Sequence, residues 1–317
     1  METKLTRLLD IKYPIIQGAM AWVSDHHIAS AVSKAGGLGI IAAGNAPVEV
    51  VKEEIRLLKE KTSKPFGVNI MLMSPTAPEI AKLVIDEKVP VVTTGAGSPG
   101  QYMETWKAAG IKVIPVVASV SQAVRSQRTG ADAVIAEGCE AGGHIGELTT
   151  MALTPQVVKA VTIPVITAGG VGDGNGMAAA LMLGADGVQS GTVFLTAKEC
   201  NIHENYKNEI INAKDTSTAV VGRFTGHPVR QLKNRLSREM LKMEKDNSNP
   251  DNFEELAVGS LKKATVDGNI TEGAFMAGQI AGILEEIKTT EEILKQMTDQ
   301  AEDIITNFEK RSGISFG

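Results

Sequence analysis

Across residues 13–192 the chain repeats one pattern: a short, continuous apolar run, then polar or glycine-rich residues, then a stretch with helical spacing. The runs fall at residues 14–17, 38–41, 66–70, 89–93, 113–117, 133–136, 163–167 and 187–190. They are apolar throughout rather than alternating, which predicts strands covered on both faces, as in a parallel sheet. Eight such units at a spacing of roughly 25 residues predict an α/β fold, a (β/α)8 TIM barrel. A doubly wound open sheet is the competing architecture, and the absence of a dinucleotide fingerprint among the eight units favours closure. Most runs end at once in Gly, Asn, Thr, Ser or Glu, at the strand ends where barrel enzymes place their chemistry. Turn formation alone would explain the glycines. It does not explain Gln17, Asn45, Asn69, Glu137 and Gln189, polar residues that need hydrogen-bond partners at the strand mouths and would find them in a polar cofactor lying across the barrel.

The rhythm breaks after Thr192. Residues 198–274 are polar and charged, carry a basic cluster (Arg223, Arg230, Lys233, Arg235, Arg238, Lys242 and Lys245) and include a loop-like stretch over 245–251, which together predict a smaller, mainly helical second domain or lid. From Met276 through Ile304 helical periodicity returns, with Ile280, Ile283, Leu284, Ile287, Ile293, Leu294 and Met297 on apolar stripes. The expected organisation is a barrel over 1–197, the smaller domain over 198–274, and C-terminal helices over 275–317 packing back on the barrel.

Composition narrows the function. The 317 residues carry 32 Lys and Arg against 37 Asp and Glu, a formal net charge of -5, which argues against a nucleic-acid protein held by a global basic field. Aromatic residues make up only 4%, too few for binding by base stacking. Two cysteines, Cys139 and Cys200, make no disulfide framework, and no paired zinc-ligand spacing is present, so a reducing compartment and no metal site are expected. No run approaches the roughly 18 apolar residues of a membrane span, and the start of the chain lacks an apolar signal core, so a cytoplasmic location without membrane contact is expected.

Candidate chemistry gathers at the last three strand ends. The seventh unit ends Ala168-Gly169-Gly170-Val171-Gly172-Asp173 and the eighth Gln189-Ser190-Gly191-Thr192. Barrels commonly bind phosphate between these two loops, where glycine lets backbone N–H groups approach the anion. The sixth unit carries Glu137-Gly138-Cys139-Glu140-Ala141-Gly142-Gly143-His144-Ile145-Gly146. A histidine among glycines just past a strand end fills no helical core stripe, so His144 is the candidate general acid or hydrogen-bond donor. Cys139 has no legible base or oxyanion-hole motif beside it, which argues against a thiol nucleophile. Glu137 and Glu140 read either as an acid/base pair or, more simply, as one carboxyl facing a ligand and the other facing solvent. His26 and His27 read as surface residues, and His203 and His227 are assigned no chemistry.

These residues resemble the FMN-dependent enoyl-[acyl-carrier-protein] reductase II family, within the nitronate monooxygenase (2-nitropropane dioxygenase-like) superfamily. The resemblance spans nearly the whole length. It rests on the stretch from Tyr13-Pro14 through Trp22-Val23, on Ala35-Gly36-Gly37-Leu38-Gly39-Ile40, on Pro65-Phe66-Gly67-Val68-Asn69-Ile70-Met71-Leu72, on Thr93-Thr94-Gly95-Ala96-Gly97, on the glycine–histidine loop and on Met276-Ala277-Gly278-Gln279. Ala19 departs from the glycine that relatives often have. The resemblance implies a barrel holding FMN, with Met20, Asn45, Asn69, Glu137, Gly142, Gly143, Gly169, Gly170, Gln189, Gly191 and Thr192 as cofactor contacts and Met276, Gly278 and Gln279 returning to the cofactor. It further implies NADH as co-substrate, with NADPH the alternative, an enoyl thioester on acyl carrier protein as substrate, and a homodimer; some relatives require a monovalent cation. The basic cluster then reads as a solvated helix face or as a dock for the acidic carrier or the phosphates of NADH. Nitronate oxidation with FMN and oxygen is the nearest alternative. A cofactor-free isomerase or lyase acting on a phosphorylated substrate would also use the seventh and eighth loops.

Overall fold

A computed structural model describes residues 1–246 and 249–314. Eight parallel strands follow the repeat: β1 (Ile15–Gln17), β2 (Gly39–Ala42), β3 (Phe66–Met71), β4 (Val91–Gly95), β5 (Lys112–Val117), β6 (Val134–Glu137) and, after a two-residue strand β7 (Gly143–His144) outside the barrel, β8 (Val165–Ala168) and β9 (Gly187–Ser190). Neighbours pair in the order β1-β9-β8-β6-β5-β4-β3-β2. The ring closes where Gln17 N–H donates to the Leu38 carbonyl and Leu38 N–H to that of Ile15. The sheet is thus the (β/α)8 barrel that the pattern predicts. Several strands begin one or two residues later than the runs that predict them, and at β4 the reason is local. Pro90 lacks an N–H and the Val89 N–H is taken by Val84 of the preceding helix, so β4 starts at Val91.

The barrel interior is a small apolar core of Ile16, Leu38, Ile40, Val91, Ile114, Ile135 and Ile166, with Leu5 and Leu9 of the short helix Lys4–Leu9 joining it from below. Larger apolar clusters fill the space between strands and helices. Contact there is close enough to require glycine at one position: a Cβ on Gly39 would lie 1.8 Å from the Ala29 carbonyl oxygen.

Two expectations need correction. The segment 198–274 is helical over Glu204–Ile211, Arg235–Lys245, Pro250–Ala257 and Ser260–Thr265, but it also carries an antiparallel ribbon of β10 (Thr218–Val221) and β11 (Val229–Leu232). Val229 and Arg230 pair with His144 and Gly143, so β7 completes a three-stranded sheet with the ribbon. Within the loop expected over 245–251, Asn247 and Ser248 lie outside the described residues, as do 315–317 at the end of the chain. The helical periodicity read from Met276 is real only further on. Gly278 is extended, Gln279–Ile283 form a single 3-10 turn, and the helix is Thr290–Thr306, opened by a capping box between Thr289 and Glu292. Its buried Ile293, Leu294, Met297 and Ala301 pack on the helix Gly174–Met182, where Gly174 N–H donates to Gln300 at 3.0 Å.

Because the Gly39 contact is with backbone, which cannot rotate away, Gly39→Ala is expected to destabilise the fold by about 3 kcal/mol or more. Urea denaturation of the variant against the unchanged protein measures this, and a loss below about 1 kcal/mol would show that the helix can shift to accommodate a methyl group.

Candidate active site

The pleat of the barrel decides which polar side chains face inward. On β6, Ile135 belongs to the barrel interior while Val134 and Ala136 pack outward, so Glu137 faces in. By the same alternation Gln189 of β9 faces in, opposite to Val188. The register places Glu137 beside Ala168 and Ala168 beside Gln189 across three adjacent strands, one level at the top of the barrel. Asn69 of β3 faces inward on another side, its Nδ2 donating to Thr93 Oγ1 at 2.9 Å. The side chains of Glu137 and Gln189 make no hydrogen bond within the protein among the described residues, although Gln189 is only 8% exposed. Glu137 keeps some accessible surface but lies so deep in the mouth that burial pushes its carboxyl up to about 7. Polar groups enclosed without partners are costly, so this level suits a polar ligand lying across it.

Gln17, by contrast, is spent on the fold. Its Oε1 accepts from Ile40 N–H at 2.9 Å and its Nε2 donates to Ser24 Oγ at 2.8 Å. Ser24 Oγ in turn accepts the Met20 N–H, tying the loop after β1 into a tight turn. Within that turn Met20 points at the mouth, since its sulfur would lie 3.6 Å from a Cβ on Gly191. Trp22 points away, 62% exposed, with φ of +64. A bulky residue in the left-handed region costs about 1–3 kcal/mol, so the surrounding turn holds it there against its preference. Asn45 lies on an exposed turn after β2 rather than in a buried mouth position.

The glycine loops are packed against one another. A Cβ on Gly142 would sit 2.6 Å from the Ala277 carbonyl carbon, one on Gly169 2.7 Å from the Gly138 oxygen, and one on Gly278 2.7 Å from the Glu140 oxygen. Gly169 and Gly170 also take positive φ, +88 and +71, which no other residue adopts as readily. Gly278 N–H donates to Thr192 Oγ1 at 2.9 Å and Gln279 N–H to the Glu140 carbonyl, while the Met276 sulfur lies over Gly143. The tetrapeptide 276–279 therefore bridges the eighth-strand loop and the histidine loop. Glu140, read from sequence as a second acid/base candidate or a solvated residue, is neither. Its carboxylate accepts from Thr150 N–H and Thr150 Oγ1 at 3.0 and 2.9 Å, holding the start of the helix Thr150–Ala160.

His144 stands on β7 as an exposed residue. Desolvation and the neighbouring His227 hold its pKa below the usual 6.5, so it is a neutral imidazole at pH 7. The antiparallel register puts His227 two residues before Val229, the partner of His144, which makes the two histidines diagonal neighbours on one face of the ribbon. Arg230, assigned from sequence to a basic cluster, is a strand residue only 8% exposed. Its Nη2 and Nε donate to the Cys139 carbonyl at 2.9 and 3.1 Å and its Nη1 to Thr218 Oγ1 at 3.1 Å, bolting the histidine loop to the ribbon. No sequence signal separates it from the helix-borne Arg235, Arg238, Lys242 and Lys245 except the neighbouring Pro228 and Val229. Burial, with Glu140 nearby, pushes the Cys139 thiol up, which removes any nucleophilic role at neutral pH. Among the described residues no group of three His, Cys, Asp or Glu side chains is arranged to hold a metal ion, and no helix is long and apolar enough to cross a membrane.

An inward polar level beneath packed glycine loops at the strand ends of a (β/α)8 barrel is where enzymes of this architecture place a ligand. The nitronate monooxygenase family model matches residues 2–84 and 78–300, and the chain belongs to that family. It is similar to a probable nitronate monooxygenase of Staphylococcus aureus, 35% identical over 77% of this chain and 82% of the relative. Among solved structures it is similar to FabK from Thermotoga maritima, at 47% identity and a TM-score of 0.96, covering 99% of this chain and 100% of that one. A nitroalkane oxidase from Streptomyces ansochromogenes follows at 30% identity and a TM-score of 0.84, covering 95% and 99%. Membership and these likenesses make the chain a flavin-dependent oxidoreductase.

The raised pKa of Glu137 has a thermodynamic consequence. The folded chain holds this proton more tightly than the unfolded chain does, so its contribution to stability is present at low pH and is lost as pH rises from about 4.5 to about 7. Flavin-free protein is expected to lose on the order of 1–3 kcal/mol across that window, and Glu137→Gln to remove the slope. Urea denaturation at several pH values tests this; an unchanged slope in the variant would assign the effect to another group.

Proposed function

We propose that the chain is an FMN-dependent enoyl-acyl carrier protein reductase that uses NADH. The observation that carries this reading is the 47% identity to FabK across the full length of both chains, against 35% and 30% for the nitronate and nitroalkane enzymes. Glu137, Gln189 and Asn69 fit a flavin as the inward level over which a polar ring system would lie. The backbone at Gly169, Gly170 and Gly191, with Thr192, would hold its phosphate, and Met20, Gly142, Gly143 and Met276 would border it. When bound, FMN supplies a carrier that accepts hydride from NADH and returns it to the β carbon of a trans-2-enoyl thioester.

The protein's own part is to orient the thioester and stabilise charge on its oxygen. As the β carbon accepts hydride, electron density builds on that oxygen as an enolate, and it is discharged when the α carbon takes a proton from solvent to give the saturated thioester. His144, neutral at pH 7, offers an N–H to this oxygen, a contact that strengthens in the transition state. The low pKa favours hydrogen-bond donation over proton delivery, because the imidazolium is scarce at neutral pH. The basic face of the helix Arg235–Lys245 would attract an acidic carrier, and the reading carries with it a cytoplasmic homodimer. Nitronate oxidation is the second reading, favoured by the family model itself.

An anaerobic titration separates the two. NADH is expected to bleach the flavin and crotonyl thioester to restore its colour; a flavin untouched by NADH but reduced by an alkyl nitronate would move the chain to the oxidase reading. His144→Ala is expected to lower kcat about 10²-fold while retaining flavin. Full turnover in that variant would remove the histidine from the mechanism.

A further inference from the structure

Trp22 and Lys262 are not explained by the fold or by the cofactor level. Trp22 leaves the turn that carries Met20 to the mouth, holds a backbone conformation that bulky residues avoid, and exposes its ring. The Lys262 ammonium, on the helix Ser260–Thr265, lies 5.5 Å from the centre of that ring and pairs with no carboxylate among the described residues. An exposed aromatic ring and an unneutralised cation are thus presented together at the rim, where the barrel's first loop meets the second unit. In a fold that buries its other tryptophan completely, this is a surface arranged for a ligand rather than for the core.

We infer that Trp22 and Lys262 form the subsite for the linear arm of the thioester substrate, with the ring taking its apolar and amide portion and the ammonium its phosphate. The inference rests on the reductase reading above. It commits to the phosphate of the carrier-linked arm as the anion, because the subsite sets one cation beside one exposed aromatic ring and so fits a single phosphate at the end of a chain with apolar and amide parts. Lys262 adds nothing to the chemistry at the thioester; it acts on capture, so its loss should appear in KM and not in kcat.

Two probes that differ only in the phosphate test this: crotonyl-4′-phosphopantetheine and crotonyl-pantetheine. With the flavin-loaded protein, Lys262→Glu is expected to raise KM for the phosphorylated probe about tenfold and to leave KM for crotonyl-pantetheine, KM for NADH and kcat unchanged. Trp22→Ala is expected to raise KM for both probes, and Trp22→Phe to restore most of the loss. Binding is read independently of turnover, since Trp106 is buried and the phosphorylated probe should quench the fluorescence of exposed Trp22. Equal KM for both probes in Lys262→Glu, or a rise confined to NADH, would overturn the assignment, the latter giving the cation to the dinucleotide. Reduction of neither probe by the unchanged protein would sink the reductase reading, while absence of Trp22 quenching would sink the subsite whether or not turnover occurs.

Discussion

Glu140 joins three segments that are far apart in sequence. Its carboxylate accepts the first N–H and the hydroxyl of Thr150, at the start of a barrel helix, and its carbonyl accepts Gln279 N–H from the C-terminal segment. Thr150 Oγ1 also reaches the Gly169 carbonyl at 2.9 Å, which draws in the loop after β8. Backbone packs directly on backbone around this point, and only glycine at 138, 142, 169 and 278 leaves room for it. A half-buried carboxylate that accepts a helix's first N–H while its own carbonyl accepts from a distant segment is a strong local organiser, because hydrogen bonds to a charged group are stronger than neutral ones. The histidine loop, the seventh-strand loop and the tetrapeptide 276–279 take their mutual positions from it.

The polar level beneath those loops follows from strand register. Glu137, Ala168 and Gln189 share a height because three neighbouring strands pair in step, and alanine in the middle leaves the surface between the two polar groups low. Two of these strands carry isoleucine one level down, Ile135 and Ile166, so the change from apolar core to polar floor occurs within two residues. Sharp dielectric change of this kind explains why Glu137 holds its proton so far above an ordinary carboxyl.

The barrel was legible from the eight apolar runs because a strand buried on both faces leaves an unbroken signature. The glycine-rich loops were legible as loops from their composition, whereas their packing of backbone on backbone was not. What escaped reading depended on contacts between distant residues. Arg230 looks like its charged neighbours until pairing with Gly143 shows it to be a buried strand residue. Glu140 has no local feature that announces Thr150 as its partner. The stretch 276–283 has apolar spacing compatible with a helix, but its backbone hydrogen bonds go to Thr192 and Glu140 instead, a tertiary demand that propensity does not report. Trp22 was part of a recognisable sequence anchor, yet neither its left-handed backbone nor its exposure has a local sequence signal.

His144 is physically a member of the small sheet with β10 and β11, while the residues that form the polar floor belong to the barrel. The two parts are therefore structurally separable. A change confined to the ribbon could re-aim the imidazole while the three barrel strands kept their register, so the floor and the histidine could vary independently of one another.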